Sequence, residues 1–536
     1  MIHFNYQSQL KSKATFSNLL SRTLNISFFL VAFMLLNFNL SGQSPSIEWE
    51  KKYGGSLGDR AESVQQTDDG GYIMAGSATS DDGDVSGNNG SGFGSISDYW
   101  LVKIDASGNI QWEGNYGGSN DDEAYSVQQT NDGGYIVAGE TNSDDVDVSG
   151  NNGTGTFLGA DFWLVKLDSS GTIQWEGNYG GSNGDEAYSV QQTNDGGYIV
   201  AGESISDDGD VSGNNGQNDF WVLKLDASGT ILWEGNYGGS DDDRARSIQQ
   251  TDDGGYIVAG ESLSDDGDIS ENNGGFDYWV VKLDASGTIL WEGNYGGSDD
   301  DRARSIQQTD DGGYIVAGET TIAETPSWQD DDLDYWLVKL DTSGTILWEE
   351  NYGGSDYDVA YSVQQTDDGG YIMVGESNSD DGDVSGNNGN EDYWLVKVNA
   401  SGTIQWEENY GGGNGDIGKS VQQTDDGGYI LAGSYLTNYW AIKLSGTLSM
   451  ENPSSNRKIQ SSLYPNPTSN NITVEANGAK APLTVFLRDI TGRSVSEHKI
   501  ENPSSFQIEI AREAGIYMLE LKDAAGRKTT RKVIKK

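Results

Sequence analysis

The chain has no cysteine, and that absence removes disulfides, thiolate catalysis and cysteine–zinc centres at once. Histidine is nearly absent too: only His3 and His498 occur, both outside the repeated body described below. A Ser-His-Asp triad or a His-ligated metal is therefore excluded from that body. Proline is scarce at 7 residues, which rules out a proline-rich linker protein. Basic residues are few: 32 Lys and Arg stand against 84 Asp and Glu, a net charge of −52. Such a field repels phosphate backbones, so nucleic acid is excluded as a partner. Long apolar runs are missing as well. The longest, Ile26 to Leu36, is too short to span a bilayer and follows Lys11, Lys13 and Arg22. With the small polar stretch Ser41-Gly42-Gln43-Ser44 behind it, residues 1–43 are expected to be a secretory signal peptide, with no transmembrane segment elsewhere.

What is abundant is glycine, at 74 residues, and tryptophan, at 15. The phrase Trp-Glu-x-x-Tyr-Gly-Gly begins at Trp49, Trp112, Trp175, Trp233, Trp291, Trp348 and Trp406. An Asp follows ten residues later in every copy: Asp59, Asp122, Asp185, Asp243, Asp301, Asp358 and Asp416. A second Trp closes each unit: Trp100, Trp163, Trp221, Trp279, Trp336, Trp394 and Trp440. All length variation falls in one segment before that second Trp, so each unit is rigid with one free loop.

Each unit reads as four strands, of the types Ser-Val-Gln-Gln-Thr, Tyr-Ile-Val-Ala-Gly, Tyr99–Ile104 and Asn109–Glu113, separated by Asp-Gly-Gly and Ala-Ser-Gly turns. Seven four-stranded units predict an all-β fold, a seven-bladed β-propeller over residues 46–450. The chain enters with a lone fourth strand, Ile47–Glu50, and leaves after a third, around Trp440. Either that strand or the decayed segment Gly446–Glu451 could complete the last blade; the first is favoured because its Trp survives.

The unit Tyr-Gly-Gly-Ser-x-x-Asp-x-Ala, followed by Asp-Gly-Gly-Tyr-Ile-Val-Ala-Gly, resembles the SBBP-type propeller repeat of bacterial surface proteins. The resemblance implies the fold and little about activity. After a linker at 451–461 the chain turns basic. Tyr464-Pro465-Asn466-Pro467, Asp489-Ile490-Thr491-Gly492-Arg493, Gly515-Ile516-Tyr517-Met518-Leu519 and a Lys-Val-Ile-Lys-Lys end follow in order. Residues 462–536 are thereby similar to the C-terminal sorting domain of type IX secretion substrates in the Bacteroidetes. That resemblance implies a small C-terminal β-sandwich read by the secretion machinery and then removed, leaving a protein secreted or held on the outer cell surface. An Ig-like adhesion module is the alternative for this segment.

Five of the free loops read Ser-Asp-Asp-x-Asp-[Val/Ile]-Ser-x-Asn-Asn-Gly. They place acids at Asp81, Asp82, Asp84; Asp144, Asp145, Asp147; Asp207, Asp208, Asp210; Asp265, Asp266, Asp268; and Asp380, Asp381, Asp383. Closely spaced carboxylates suit calcium; Asp, Asn, Gly and Ser also make ordinary solvated turns, and both readings stand. The repeated Asp after each first Trp is expected to make a blade-to-blade hydrogen bond, and the repeated third-strand lysine to pair with a carboxylate. Repeat five carries a loop of unique sequence, in which Trp328 is a candidate stacking platform for a sugar. No catalytic residue stands out, because the repeats are so alike. The expected function is a binding or adhesion scaffold for an extracellular glycan, protein or matrix component. The alternatives are a carbohydrate-active hydrolase or lyase using carboxylates, and a structural surface-layer component.

Overall fold

The computed structural model describes residues 44–446 apart from 90–95, 153–158 and 323–332. It also describes residues 460–536 apart from 465–470, 478, 480, 490–493, 502–504, 511–514 and 524–527. Two compact units divide between residues 447 and 448.

In the first unit, β-branched and aromatic residues build four-stranded antiparallel sheets, each in strand order one to four. Blade one runs from Asp59 to Tyr116 as strands Asp59–Gln66, Tyr72–Ala78, Asp98–Ile104 and Ile110–Tyr116. Blades two to six repeat it, starting at Asp122, Asp185, Asp243, Asp301 and Asp358. First strands begin earlier than the hydrophobic pattern suggests, at the repeated Asp, and fourth strands run on to the Tyr of Tyr-Gly-Gly. Blade seven takes Asp416–Gln423, Tyr429–Tyr435 and Asn438–Leu444, and its fourth strand is Ile47–Tyr53 from the other end of the chain. That strand pairs antiparallel with the third, Ile47 opposite Leu444 and Tyr53 opposite Tyr439.

The ring closes through its first strands. The Oγ of Ser63 accepts from the Val127 N–H, and the same bond recurs at every junction to Ser420 and Val64, at 3.2–3.3 Å. Two residues along the same strands, Gln65 accepts from the Gln129 N–H, and this bond also occurs seven times, at 2.5–2.6 Å. Valine or isoleucine and glutamine from all seven first strands line an axial cavity of about 240 Å³.

Apolar layers fill the spaces between blades. Trp163 of blade two, fully buried, packs 4.6 Å from Tyr99 of blade one, and Tyr99 donates to the Trp163 carbonyl at 2.9 Å. Tyr116 donates to the Gly171 carbonyl of the next blade at 2.6 Å. Burying a ring of this size contributes roughly 2–3 kcal/mol, and the hydroxyl bond fixes its orientation.

The tight turns have their own fastening. Asp69 accepts from the Thr67 hydroxyl at 2.6 Å and the Gly71 N–H at 3.0 Å, while Gly70 takes φ 80°. The ammonium of Lys103, itself 3% exposed, lies 3.0 Å from Asp69 and donates to the Ile104 carbonyl at 3.1 Å. Every blade repeats the Lys–Asp pair, through Lys166, Lys224, Lys282, Lys339, Lys397 and Lys443.

The second unit has a three-stranded sheet and a four-stranded sheet, the latter ordered 494–500, 483–489, 515–522, 528–535. Ile472, Val474, Val485, Leu519 and Leu521 join them in one core, a small β-sandwich.

Candidate functional site

In blades one to four and six, the strand-two-to-three loop folds onto the loop that links consecutive blades. In blade one, Asp82 Oδ1 accepts from the Ser56 N–H at 2.7 Å and Asp84 Oδ2 from the Gly54 N–H at 3.3 Å. Asp145, Asp208, Asp266 and Asp381 cap Ser119, Ser182, Ser240 and Ser355 in the same way. Asp147, Asp210 and Asp268 serve the N–H groups of Gly117, Gly180 and Gly238, and Asp383 donates its own N–H to the Gly353 carbonyl. The first acids of the loops, Asp81, Asp144, Asp207, Asp265 and Asp380, are exposed. Among the described residues, no group of three or more Asp, Glu, His or Cys lies close enough to hold a metal ion. Trp328 falls outside the described residues.

The repeated Asp after each first Trp bonds across the blade junction through its backbone, as expected, while its carboxylate serves the linker. Asp59 accepts from the Gly55 N–H at 2.8 Å and the Ser80 hydroxyl at 2.9 Å, tying the linker to its own blade. The N–H of the repeated Asp reaches across the junction, as Asp122 donates to the Ser97 carbonyl of blade one at 2.7 Å, and tyrosine hydroxyls such as those of Tyr99 and Tyr116 add side-chain bonds between blades. Six of the seven repeated Asp residues also meet a second Asp, two residues before the closing Trp of the preceding blade. A methyl group placed on Gly117 would lie 2.5 Å from Asp122 Oδ2 and 2.6 Å from Asp98 Oδ1, so two fully buried carboxylates flank one glycine. Burial, reinforced by the Asp122 charge, pushes Asp98 up to about 7, and burial pushes Asp122 up to about 6. Asp161 and Asp185 repeat the pattern at about 7 and about 6. At the junction of blades seven and one the first partner is Asn438.

The sevenfold pattern breaks at the axis. In every first strand the ladder slips by one residue between the Ala61/Ser63 pair or its equivalent, a β-bulge that re-aims the residue between them. Those seven bulge residues are Glu62, Tyr125, Tyr188, Arg246, Arg304, Tyr361 and Lys419. They vary while Ser63, Gln65 and Gln66 recur unchanged in all blades. Apart from the seven turn-fastening lysines and Lys51 and Lys52, every basic residue of the propeller sits in a first strand: Arg60, Arg244, Arg246, Arg302, Arg304 and Lys419.

Around this mouth the chemistry changes by sector. Across blades two and three, Tyr125 donates to Glu140 at 3.1 Å and Tyr188 to Glu203 at 3.2 Å, and the two rings lie 5.0 Å apart. Burial and the neighbouring Glu186 hold Glu140 well above the usual range and Glu203 up at about 7, although Arg246 pulls Glu203 down. Across blades four and five, Arg246 stacks 4.1 Å over Tyr188 and reaches Glu261 at 3.1 Å. Arg304 grips Glu319 through two bonds, of 3.1 and 2.6 Å. Burial alone would raise Glu261; Arg246 and Arg304 outweigh it and hold the carboxyl below its usual range. Lys419 lies 3.6 Å over Tyr361 and closes the circle beside Glu62. Column-by-column comparison of the repeats, thirteen residues after each first Trp, contains this signal; reading the repeats as uniform passes over it.

Fold and tail together define an exported, secreted or surface-held seven-bladed β-propeller. The particular attribution rests on residues 462–536, which match the family described as the secretion system C-terminal sorting domain, so that segment is a type IX secretion sorting tail. No curated protein matches the chain. Among solved structures, Sqt1 from Chaetomium thermophilum is similar at 12% identity over 73% of this chain and 82% of that one, with a TM-score of 0.38. An apocarotenoid oxygenase from Synechocystis is similar at 10% identity over 88% and 98%, with a TM-score of 0.35. A β-fructofuranosidase from Bombyx mori is similar at 12% identity over 75% and 84%, with a TM-score of 0.27. No helix among the described residues is long and apolar enough to cross a membrane.

Proposed function

We propose that the mature protein is an extracellular binding scaffold that grips a glycan or protein ligand at the axial mouth. The observation that carries this reading is the blade-to-blade variety at the seven bulge positions, with every basic residue that neither fastens a turn nor lies in the closing strand placed at a bulge (Arg246, Arg304, Lys419) or two residues before one (Arg60, Arg244, Arg302). Repeated residues hold the ring together; residues that differ from blade to blade suit one asymmetric partner. In a shell this acidic, the arginine sector is where a carboxylate-bearing ligand finds compensating charge, and the tyrosines beside it offer flat, hydrogen-bonding surface.

A glycan array probed with the full chain tests this, run with millimolar calcium and again with chelator. Binding that falls at least tenfold in Arg246→Gln and Tyr188→Ala supports the mouth as the site. Binding to no glycan sends the search to protein ligands, and binding untouched by both variants refutes the location. Calcium at the loop acids, with Asp81, Asp82, Asp84 and their counterparts in the four other loops as ligands, belongs to the same proposal. Loss of binding in chelator supports it, and unchanged binding removes it.

A second reading, a carboxylate-based hydrolase, is favoured by one observation: Glu203, held near 7, shares the mouth with Glu140 and Glu186. Such a group is poised to donate a proton at neutral pH. Release of reducing sugar that disappears in Glu203→Gln supports it; no release from any glycan the protein binds refutes it.

A further inference from the structure

Five of the bulge residues at the axial mouth are fastened in one way. Each bonds to the strand-two glutamate fifteen residues on in its own blade: Tyr125 to Glu140 at 3.1 Å, Tyr188 to Glu203 at 3.2 Å, Arg246 to Glu261 at 3.1 Å, Arg304 to Glu319 at 2.6 Å and Tyr361 to Glu376 at 2.6 Å. The pattern stops at the two blades that meet at the seam. Fifteen residues after Lys419 of blade seven stands Ser434, and fifteen after Glu62 of blade one stands Ser77. Their ladders keep the register of the other blades, with Ser434 opposite Ile417 and Ser77 opposite Arg60, so only the carboxylate has gone. A serine hydroxyl sits on the first side-chain carbon and falls short of the bulge residue.

Two opposite charges on adjacent blades are thereby left without partners. Glu62 and Lys419 are both half-buried, and among the described residues neither makes a hydrogen bond or an ion pair, with the other or with any third group. Lys419 turns toward blade six, its ammonium 3.6 Å over the ring of Tyr361. Burial pushes the Glu62 carboxyl up, and Lys419 and Arg60 offset part of that push across the gap. Arg60, exposed on the same strand as Glu62, has no ion pair among the described residues either. The arginine sector differs, because Arg244, Arg246, Arg302 and Arg304 already meet carboxylates of Glu203, Glu261, Asp300 and Glu319. In the loops of blades one, two, six and seven only residues 90–95 and 153–158 lie outside the described residues, and neither segment contains a charged residue.

A charge drawn partly out of water and left unpaired loses solvation without recovering it. An ammonium on Glu62 and a carboxylate on Lys419 would complete both, with Arg60 as a further donor to the carboxylate. On the reading of the mouth as a ligand site, we propose that its seam sector binds a free α-amino acid, with the ammonium on Glu62 and the carboxylate on Lys419. An α-amino acid carries its two charges on one carbon, the close opposite pair that bridges such a gap. A neutral sugar makes neither ionic bond, and a simple anion leaves Glu62 unpaired.

Isothermal titration of the full chain with each common protein amino acid, at neutral pH, tests this. At least one should bind saturably. Its N-acetyl and carboxamide derivatives, each lacking one charge, should bind more weakly by roughly tenfold or more. Ser434→Glu gives Lys419 the partner its counterparts have; it should weaken binding by about the same factor while the urea midpoint stays at least as high. In Glu62→Gln the acetylated form should bind as well as the free amino acid, and in Lys419→Met the carboxamide should, an exchange that a merely structural role does not produce. Binding of no amino acid, equal binding of both derivatives and the parent, or binding untouched in Ser434→Glu each overturns the proposal. If it falls while array ligands still depend on Arg246, the mouth remains a ligand site. Amino-acid binding that passes these tests while no array ligand depends on Arg246 keeps the seam site and removes the arginine sector.

Discussion

Replacing Asp98 by Asn should make the propeller more stable in mild alkali and leave it nearly unchanged in acid. Asp98 is fully buried, faces Asp122 across Gly117, and titrates at about 7 rather than 3.8. An acid whose folded value lies above its unfolded value binds more protons folded than unfolded. Its ionisation therefore costs stability as pH rises from about 4 to about 7, and none of that cost applies below about 4. At about 1.4 kcal/mol per unit, the full shift amounts to about 4 kcal/mol above pH 7; relaxation around the charge leaves roughly half. Asparagine keeps an acceptor for the Asn89 N–H, which Asp98 binds at 2.6 Å, and carries no charge. The seventh junction already uses it: a methyl group on Gly54 would meet Asn438 Oδ1 at 2.6 Å and Asp59 Oδ2 at 2.5 Å. The measurement is urea unfolding followed by tryptophan fluorescence at pH 8 and pH 4.5, which reports the propeller alone because no tryptophan follows Trp440. Asp98→Asn should gain about 2 kcal/mol over the parent at pH 8 and close to nothing at pH 4.5. An equal difference at both pH values, or a loss at pH 8, refutes a charged, buried Asp98.

Three other outcomes are expected. Lys103→Met should cost about 3 kcal/mol, since it strands the Asp69 turn and the Ile104 carbonyl, and Lys282→Met should cost the same, as read by the same unfolding assay. Acid should act on these turns in the direction opposite to Asp98: Asp132 and Asp195 are held down at about 2, with hydrogen bonds and lysine outweighing burial, so their contribution persists at pH 4 and is lost as pH falls toward 2. Urea midpoints at pH 4, 3 and 2 should therefore drop steeply in the parent and less in Lys166→Met. Deleting residues 462–536 should leave the protein inside the cell envelope, detected by fractionation, whereas the propeller's thermal transition should be unchanged.

The blade count was legible because one tryptophan phrase recurs seven times, and the closing strand because Trp49 stands alone before the first complete unit. The pairing of Lys103 with a carboxylate was legible too, since a lysine inside an apolar strand needs one. The Asp98–Asp122 pair was not: its members are separated by a blade junction, and nothing local to either names the other. The bulge residues were hidden for a different reason. A one-residue slip in register turns Glu62 and Tyr125 toward the axis, and strict alternation has no place for it. That Asp82 and Asp84 cap the N–H groups of Ser56 and Gly54 was not legible, because those groups belong to another segment.

The seam that closes the ring also sets how the molecule bears load. Ile47 faces Leu444, so the two chain ends leave the seam from the same end. Tension applied between them would peel that ladder one pair at a time rather than shear all its bonds together. Tension on the C-terminal end alone enters at Leu444, which pairs with Ile47 on one side and with Tyr429 on the other. Pulled from both ends the ring would unzip at this one ladder, whereas a pull on the C-terminal end is shared between two.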